Sequence, residues 1–173
     1  MSSIKTVKEI MVDVFDYPHI PYWFTIRQAM GIIKKAFLET DKCFHHLAVL
    51  VFDEKYNLMG TLTLRHILKG LEPKLFGPEL MTEYDGADIE QALANYEAAM
   101  FSEESKKIVE KPVSDIMIPA KVVVAPDDSV VKAAFMMVHH NIAILPVLED
   151  RKKLVGLVRM LEVFKEVSSI VSE

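Results

Sequence analysis

The chain has 173 residues, 51% of them apolar and 26% charged, with a formal net charge of -5. That length allows one compact domain or two small units sharing a core, and the apolar content excludes a disordered chain. The acidic balance supplies no basic surface for neutralising phosphates, so no nucleic-acid partner is expected.

The N-terminal stretch MSSIKTVKEIM has no apolar core of signal-peptide length, and the single cysteine, Cys43, has no internal disulfide partner. A cytoplasmic location is expected. Apolar runs such as LAVLVF stop far short of the roughly 20 residues of a spanning helix, so direct membrane insertion is not expected.

In chain order, the first elements are a short amphipathic start, VKEIMV (7–12), a helix opening at TIRQA (25–29), and a strand leading through a charged turn, VFDEKYNLMG (51–60). Each returns later in the same order. VKEIMV matches VSDIMI (113–118), TIRQA matches SVVKA (129–133), and VFDEKYNLMG matches VLEDRKKLVG (147–156), at offsets of 106, 104 and 96 residues. The first copy therefore carries about two extra residues before its helix and about eight around LETDKCFHH, where loops tolerate insertion.

Between the copies, the Pro- and Gly-containing stretch up to Gly86 reads as loops or short helical turns. Asp88 to Met100 reads as a helix with Ile89, Leu93, Tyr96 and Met100 on one stripe and a capping box at Asp88 and Gln91. The spans are thus repeat one at 1–70, a helical linker at 71–111, and repeat two at 112–173. In the second copy, the β-branched run KVVVA is followed by Pro126, Asp127, Asp128 and Ser129, turn residues that provide an N-cap. Ala133, Met136, Met137 and His140 then share a helix face; IAILPVL and LVGLV form a hairpin across EDRKK; and a closing helix carries Leu161, Phe164, Val167 and Val171 on its stripe. Each copy is a β-α-β-β-α unit, and the fold class is α/β (α+β) with the two copies packed pseudo-symmetrically.

The second copy, with its DIM opening, PDDSV helix start, LPV strand and LVG before the last helix, closely resembles a cystathionine β-synthase-type (CBS) domain. The first copy resembles it more loosely, through VKEIMV and VFDEKYNLMG, and a pair of such domains is a Bateman module. The resemblance implies a regulatory protein, not an enzyme, that binds AMP, ATP or S-adenosylmethionine without requiring a cofactor. It also implies disc-like dimers, here a homodimer; no effector domain is visible in the sequence, so the expected target is another chain, an effector protein, or the same chain in an oligomer.

In that family a glycine, a Thr or Ser three residues on and an Asp three further mark the site, the hydroxyl reaching phosphate and the carboxylate holding the ribose diol. Here the first copy has Gly60, Thr63 and His66, where a neutral histidine accepts only one hydrogen bond. The second has Gly156, Arg159 and Glu162: the carboxylate is kept and the hydroxyl gives way to a fork of donors suited to phosphate. Arg159 and Glu162 can equally pair with each other on the helix surface. By the same resemblance, adenine lies against Ile118 to Val123 and Ala143 to Pro146, with Ile118, Val123, Ile144 and Pro146 as lining residues; their apolar chemistry suits a sealed core as well. The alternative to a ligand-binding module is an interaction module that has lost its nucleotide.

His45 with His46 and His139 with His140 are adjacent pairs whose side chains diverge on helix or strand, so surface placement is expected and no metal. Met30, Met100, Met136 and Met137 fall at helical spacings as core filler. No acid, base and nucleophile constellation, phosphate-cradling loop or nucleophile elbow is present in the sequence.

Overall fold

The computed structural model describes residues 4–38, 48–71 and 103–172. In chain order its elements are α1 (Val7–Ile10), β1 (His19–Pro21), α2 (Ile26–Ile33), β2 (Ala48–Phe52), β3 (Leu58–Thr63), α3 (Leu64–Leu71), α4 (Glu103–Ile108), β4 (Ile118–Pro119), α5 (Val130–His140), β5 (Ile144–Glu149), β6 (Lys153–Arg159) and α6 (Met160–Val171). The expected helix at Asp88 to Met100, together with Cys43, His45 and His46, lies outside the described residues.

The chain divides into two compact units, one formed by Pro18–Pro119 and the other by Met1–Tyr17 with Ala120–Glu173. A cut of the sequence at 70 and 112 places each opening segment with the copy that follows it. The contacts place each with the other copy instead: VKEIMV belongs to the body of the second copy, and VSDIMI to that of the first.

In the Pro18–Pro119 unit the sheet order is β1-β2-β3-β4. β1 runs parallel to β2, with Ile20 opposite Val51, and β2 pairs antiparallel with β3, from Ala48 opposite Thr63 to Phe52 opposite Leu58. Every residue of β2 is buried, as its unbroken apolar run AVLVF requires for a central strand covered on both faces. The turn from Asp53 to Asn57 is tied by the Asp53 carboxylate, which accepts from the Lys55 and Asn57 amides at 2.9 and 2.8 Å. α2 begins at Thr25, whose hydroxyl accepts from the Gln28 amide while the Gln28 side chain returns to the Thr25 amide, satisfying two orphan donors reciprocally. Its buried residues Ile26, Ala29 and Ile33 pack with Ile20, Val49, Val51, Leu62, Ile67 and Val113. Met30, expected as core filler, points outward and is 38% exposed.

The second unit repeats this plan with fewer regular bonds. β5 and β6 pair antiparallel around a turn whose two central residues, Asp150 and Arg151, both take positive φ, the geometry that matches strand twist in a tight hairpin. The run KVVVA contributes a single parallel bridge, Val124 to Val147, instead of a full strand. Ser129 caps α5 by accepting from the Lys132 amide, and Asn141 closes it in the left-handed conformation. Val7, Val124, Val130, Ala133, Met137, Leu145, Val147, Val158 and Val163 form the core.

The face of α6 differs from the expected stripe. Val163 and Glu166 are buried, whereas Phe164 and Val171 are 65% and 79% exposed. The inward face is the row Met160, Val163 and Val167, with Glu166 beside it. That carboxylate is tolerated because Lys5 reaches it, Nζ to Oε2, at 2.5 Å. On α5, Ala133 and Met137 are buried as expected, while His140 is exposed. His139 is also on the surface, stacked on the Phe135 ring at 5.4 Å. Among the described residues no helix is long and apolar enough to cross a membrane.

Candidate functional site

Both glycine patterns stand where a strand ends and a helix begins. In the Pro18–Pro119 unit, Gly60 lies in β3, Thr63 closes that strand and His66 stands in the first turn of α3. The Thr63 hydroxyl and His66 Nδ1 bond to each other at 2.6 Å. Burial, helped by the positive charges of Lys69 and Arg65, holds the imidazole below its ordinary pKa and so in its neutral form. Gly60 is buried, and a Cβ there would run into the Ile118 carbonyl oxygen, with Met117 Sδ at 3.0 Å. The glycine is thus required by the approach of β4.

Ile118 was expected beside the second pattern. It lies opposite Thr61, beside the first. The reason is the exchange of opening segments: β4 completes the sheet of the first copy, and Val12 holds the corresponding place against Leu157, with amide-to-carbonyl bonds of 2.8 and 3.0 Å in both directions.

In the second unit Gly156 lies in β6, with Met11 Sδ 2.7 Å from where a Cβ would stand. Arg159 is the last residue of β6 and the N-cap of α6, and Glu162 lies in the first turn. The guanidinium forks onto the carboxylate through Nε, at 2.7 Å, and Nη2. Their side chains are only 22% and 14% exposed. The carboxylate keeps Arg159 more firmly protonated than an ordinary arginine, against the opposing pull of burial. The self-pairing open to these residues from their spacing is therefore realised, in a setting drier than a helix surface.

Of the expected lining residues, Ile144 is brought to this place, directly opposite Arg159 in the β5–β6 ladder. Pro146 is buried opposite Leu157, and its carbonyl accepts from the Val124 amide, so it serves the core. Val123 is half-buried one residue before that bridge.

Sequence reasoning missed Tyr17. The ring is 6% exposed, and its hydroxyl is buried with no hydrogen-bond partner among the described residues. Burial raises the phenol's pKa; Arg159, a polar and charged neighbour of the hydroxyl, opposes the rise, and the carboxylates of Glu162 and Asp16 add to it. By the offset of the helix starts its counterpart is Lys121, so the repeat itself gave no signal. Among the described residues, no group of three or more metal-ligating side chains converges.

The chain matches the family model of the CBS domain over residues 113–169, and the whole of it resembles solved CBS-pair structures. The fold is that of a CBS pair. CBSX2 in complex with AMP is 18% identical, with a TM-score of 0.59 over 96% of this chain and 98% of that one; a further structure identifies CBSX2 as a protein of Arabidopsis thaliana. The CBS-domain pair of MJ0100 in complex with 5'-methylthioadenosine and S-adenosyl-L-methionine is 20% identical, with a TM-score of 0.59 over 97% and 99%. TA0289 of Thermoplasma acidophilum, a CBS-domain protein of unknown function, is 18% identical, with a TM-score of 0.64 over 98% and 76%. No curated protein matches the chain. At these identities the CBS-pair likeness is one of fold.

Proposed function

We propose that this CBS pair is a cytoplasmic regulatory module, not an enzyme, that binds an adenosine-containing ligand at the Arg159–Glu162 junction and signals through a homodimer or an effector protein. The observation that carries the reading is the chemistry at that junction. A carboxylate, which can accept two hydrogen bonds from a ribose diol, and a guanidinium fork, which fits a phosphate, stand within one turn at the start of a helix, opposite apolar Ile144. That AMP, 5'-methylthioadenosine and S-adenosyl-L-methionine are held by proteins of this fold supports the ligand class.

Binding requires the Arg159–Glu162 pair to open. Leaving either charge half-buried and alone is costly, but a nucleotide replaces each lost partner, phosphate for the arginine and diol for the glutamate. The ligand then shifts a conformational equilibrium by its difference in affinity between the open and closed forms. For the signalling surface we propose the outward faces of α5 and α6, where Phe135, Val138, Phe164 and Val171 are 62 to 79% exposed.

A second reading is favoured by one observation: both patterns are closed on themselves, Thr63 on His66 and Arg159 on Glu162. On that reading the chain is an interaction module that has lost its ligand. Thermal-shift titration with AMP, ATP and S-adenosylmethionine separates the two. A ligand at a hundred times its dissociation constant adds about 2.7 kcal/mol of stability. The first reading expects such a shift with at least one ligand and its loss in Glu162→Gln; no shift with any of the three leaves the second.

A further inference from the structure

The turn between β2 and β3 carries a strained tyrosine. Tyr56 takes a φ of 62°, in the left-handed region that a bulky side chain rarely adopts. Its ring, 60% exposed, is stacked on Phe52 at 4.4 Å, and its hydroxyl is bonded to His19 Nδ1. Through Glu54 the same turn reaches a second aromatic pair: that carboxylate accepts from the Tyr22 hydroxyl at 2.9 Å, and Tyr22 meets Trp23 edge to face at 5.1 Å. Trp23 is the chain's only tryptophan and is 50% exposed. Strain that surrounding contacts hold in place clusters at functional positions, and here it keeps open aromatic rings beside an exposed carboxylate. The matching turn of the second copy is built without those rings: Leu148 stands for Phe52, Arg151 for Lys55 and Lys152 for Tyr56. Arg151 and Lys152 are exposed, and among the described residues neither makes an ion pair, whereas Lys153 is taken by Glu149. Residues 53–57 thus carry one net negative charge and residues 149–153 one net positive charge.

We propose that the first-copy turn of one chain docks onto the second-copy turn of a second chain, the rings of Tyr56 and Trp23 receiving the Arg151 and Lys152 cations and Glu54 supplying the matching charge. Arginine and lysine cations are drawn to the faces of aromatic rings, tryptophan and tyrosine above all, and a carboxylate beside the rings favours the same partner. Pairing like turns would instead set Glu54 against Glu54, or Arg151 against Arg151, and the repulsion selects the unlike pair. The contact is heterologous, joining two different surfaces of the same chain type. It adds to the homodimer reading an association that depends neither on a bound ligand nor on the outward faces of α5 and α6.

Trp23 reports the contact in the full chain: its emission should shift to the blue as the protein concentration rises from micromolar to submillimolar. Two variants test the pairing. Tyr56→Gly removes the ring at a position where glycine accepts the left-handed backbone, and the double variant Arg151→Glu with Lys152→Glu reverses the cations. Each alone should associate roughly tenfold more weakly than the parent. An equimolar mixture of the two should recover the shift, because one chain brings an intact second-copy turn and the other an intact first-copy turn. Glu54→Arg, which keeps every ring, should weaken association likewise, so a loss of fold in Tyr56→Gly does not spare the proposal. A parent whose emission does not change with concentration overturns it. So do variants that associate as the parent does, and so does a mixture of folded variants that fails to recover the shift.

Discussion

Ile118 stands directly across from Thr61 in the antiparallel β3–β4 pair, although the two come from different copies of the repeat. Val12 takes the corresponding place against Leu157. Each copy thus lends its opening segment to the other, and the glycine of each pattern stands in close contact with that segment. The two glycines face different neighbours: Gly60 has a backbone carbonyl in front of it, and Gly156 has the flexible side chain of Met11. Gly60→Ala is expected to destabilise the protein by about 1–3 kcal/mol, because backbone must move, and Gly156→Ala by under about 1 kcal/mol, because a methionine can turn aside. Urea midpoints for the two variants, compared at equal slope, check the order; a reversed order would refute the packing role.

His66 should make the protein sensitive to mild acid. Its folded pKa lies below the ordinary 6.5, chiefly through burial. The unfolded chain then binds the proton more readily, so the contribution is fully present above pH 6.5 and is lost as the pH falls through and below that value. Unfolding midpoints from pH 8 to pH 5 should drop more steeply in the parent than in His66→Gln. Identical profiles would mean that the imidazole is not desolvated.

The buried carboxylate of Glu166 depends on Lys5, a residue far away in sequence. Lys5→Ala should lower the melting temperature by leaving that carboxylate without its cation. Adding Glu166→Leu to Lys5→Ala should restore stability, because the pair is then replaced by apolar packing. If Lys5→Ala alone is silent, the contact is a surface pair of little consequence.

The exposed apolar residues of α5 and α6 predict self-association. Full burial of a valine or phenylalanine side chain is worth about 1.5–3 kcal/mol. Val138→Glu or Phe164→Glu should therefore weaken the dimer by at least tenfold, read as a shift to monomer in sedimentation velocity at micromolar concentration. A parent chain that is monomeric throughout that range would remove the homodimer and leave these faces to a different partner.

Much of the local architecture was legible because its causes lie within a few residues. The cap at Ser129 and the charged hairpin turns are each fixed by neighbours three or four positions away, whereas the β-branched run KVVVA, expected as a strand, makes only the Val124–Val147 bridge. The self-pairing of Arg159 with Glu162 was open from their spacing alone. The stripe on α6 was misjudged because Phe164 and Val171 have the right hydrophobicity and nearly the right period; the row Met160, Val163 and Val167 fits as well, and only the surface it meets distinguishes them.

The sequence by itself therefore determined the duplicated order of elements, their caps and turns, and the residues standing at the two strand-to-helix junctions. Only the tertiary structure decided which opening segment completes which sheet, that Ile118 stands beside Thr61, and that Tyr17 is buried near Arg159. The physical reason is degeneracy: VKEIMV and VSDIMI offer the same apolar spacing to either half, so local preference cannot choose between them, and the choice falls to contacts between residues far apart in the sequence, Thr61 with Ile118 and Val12 with Leu157.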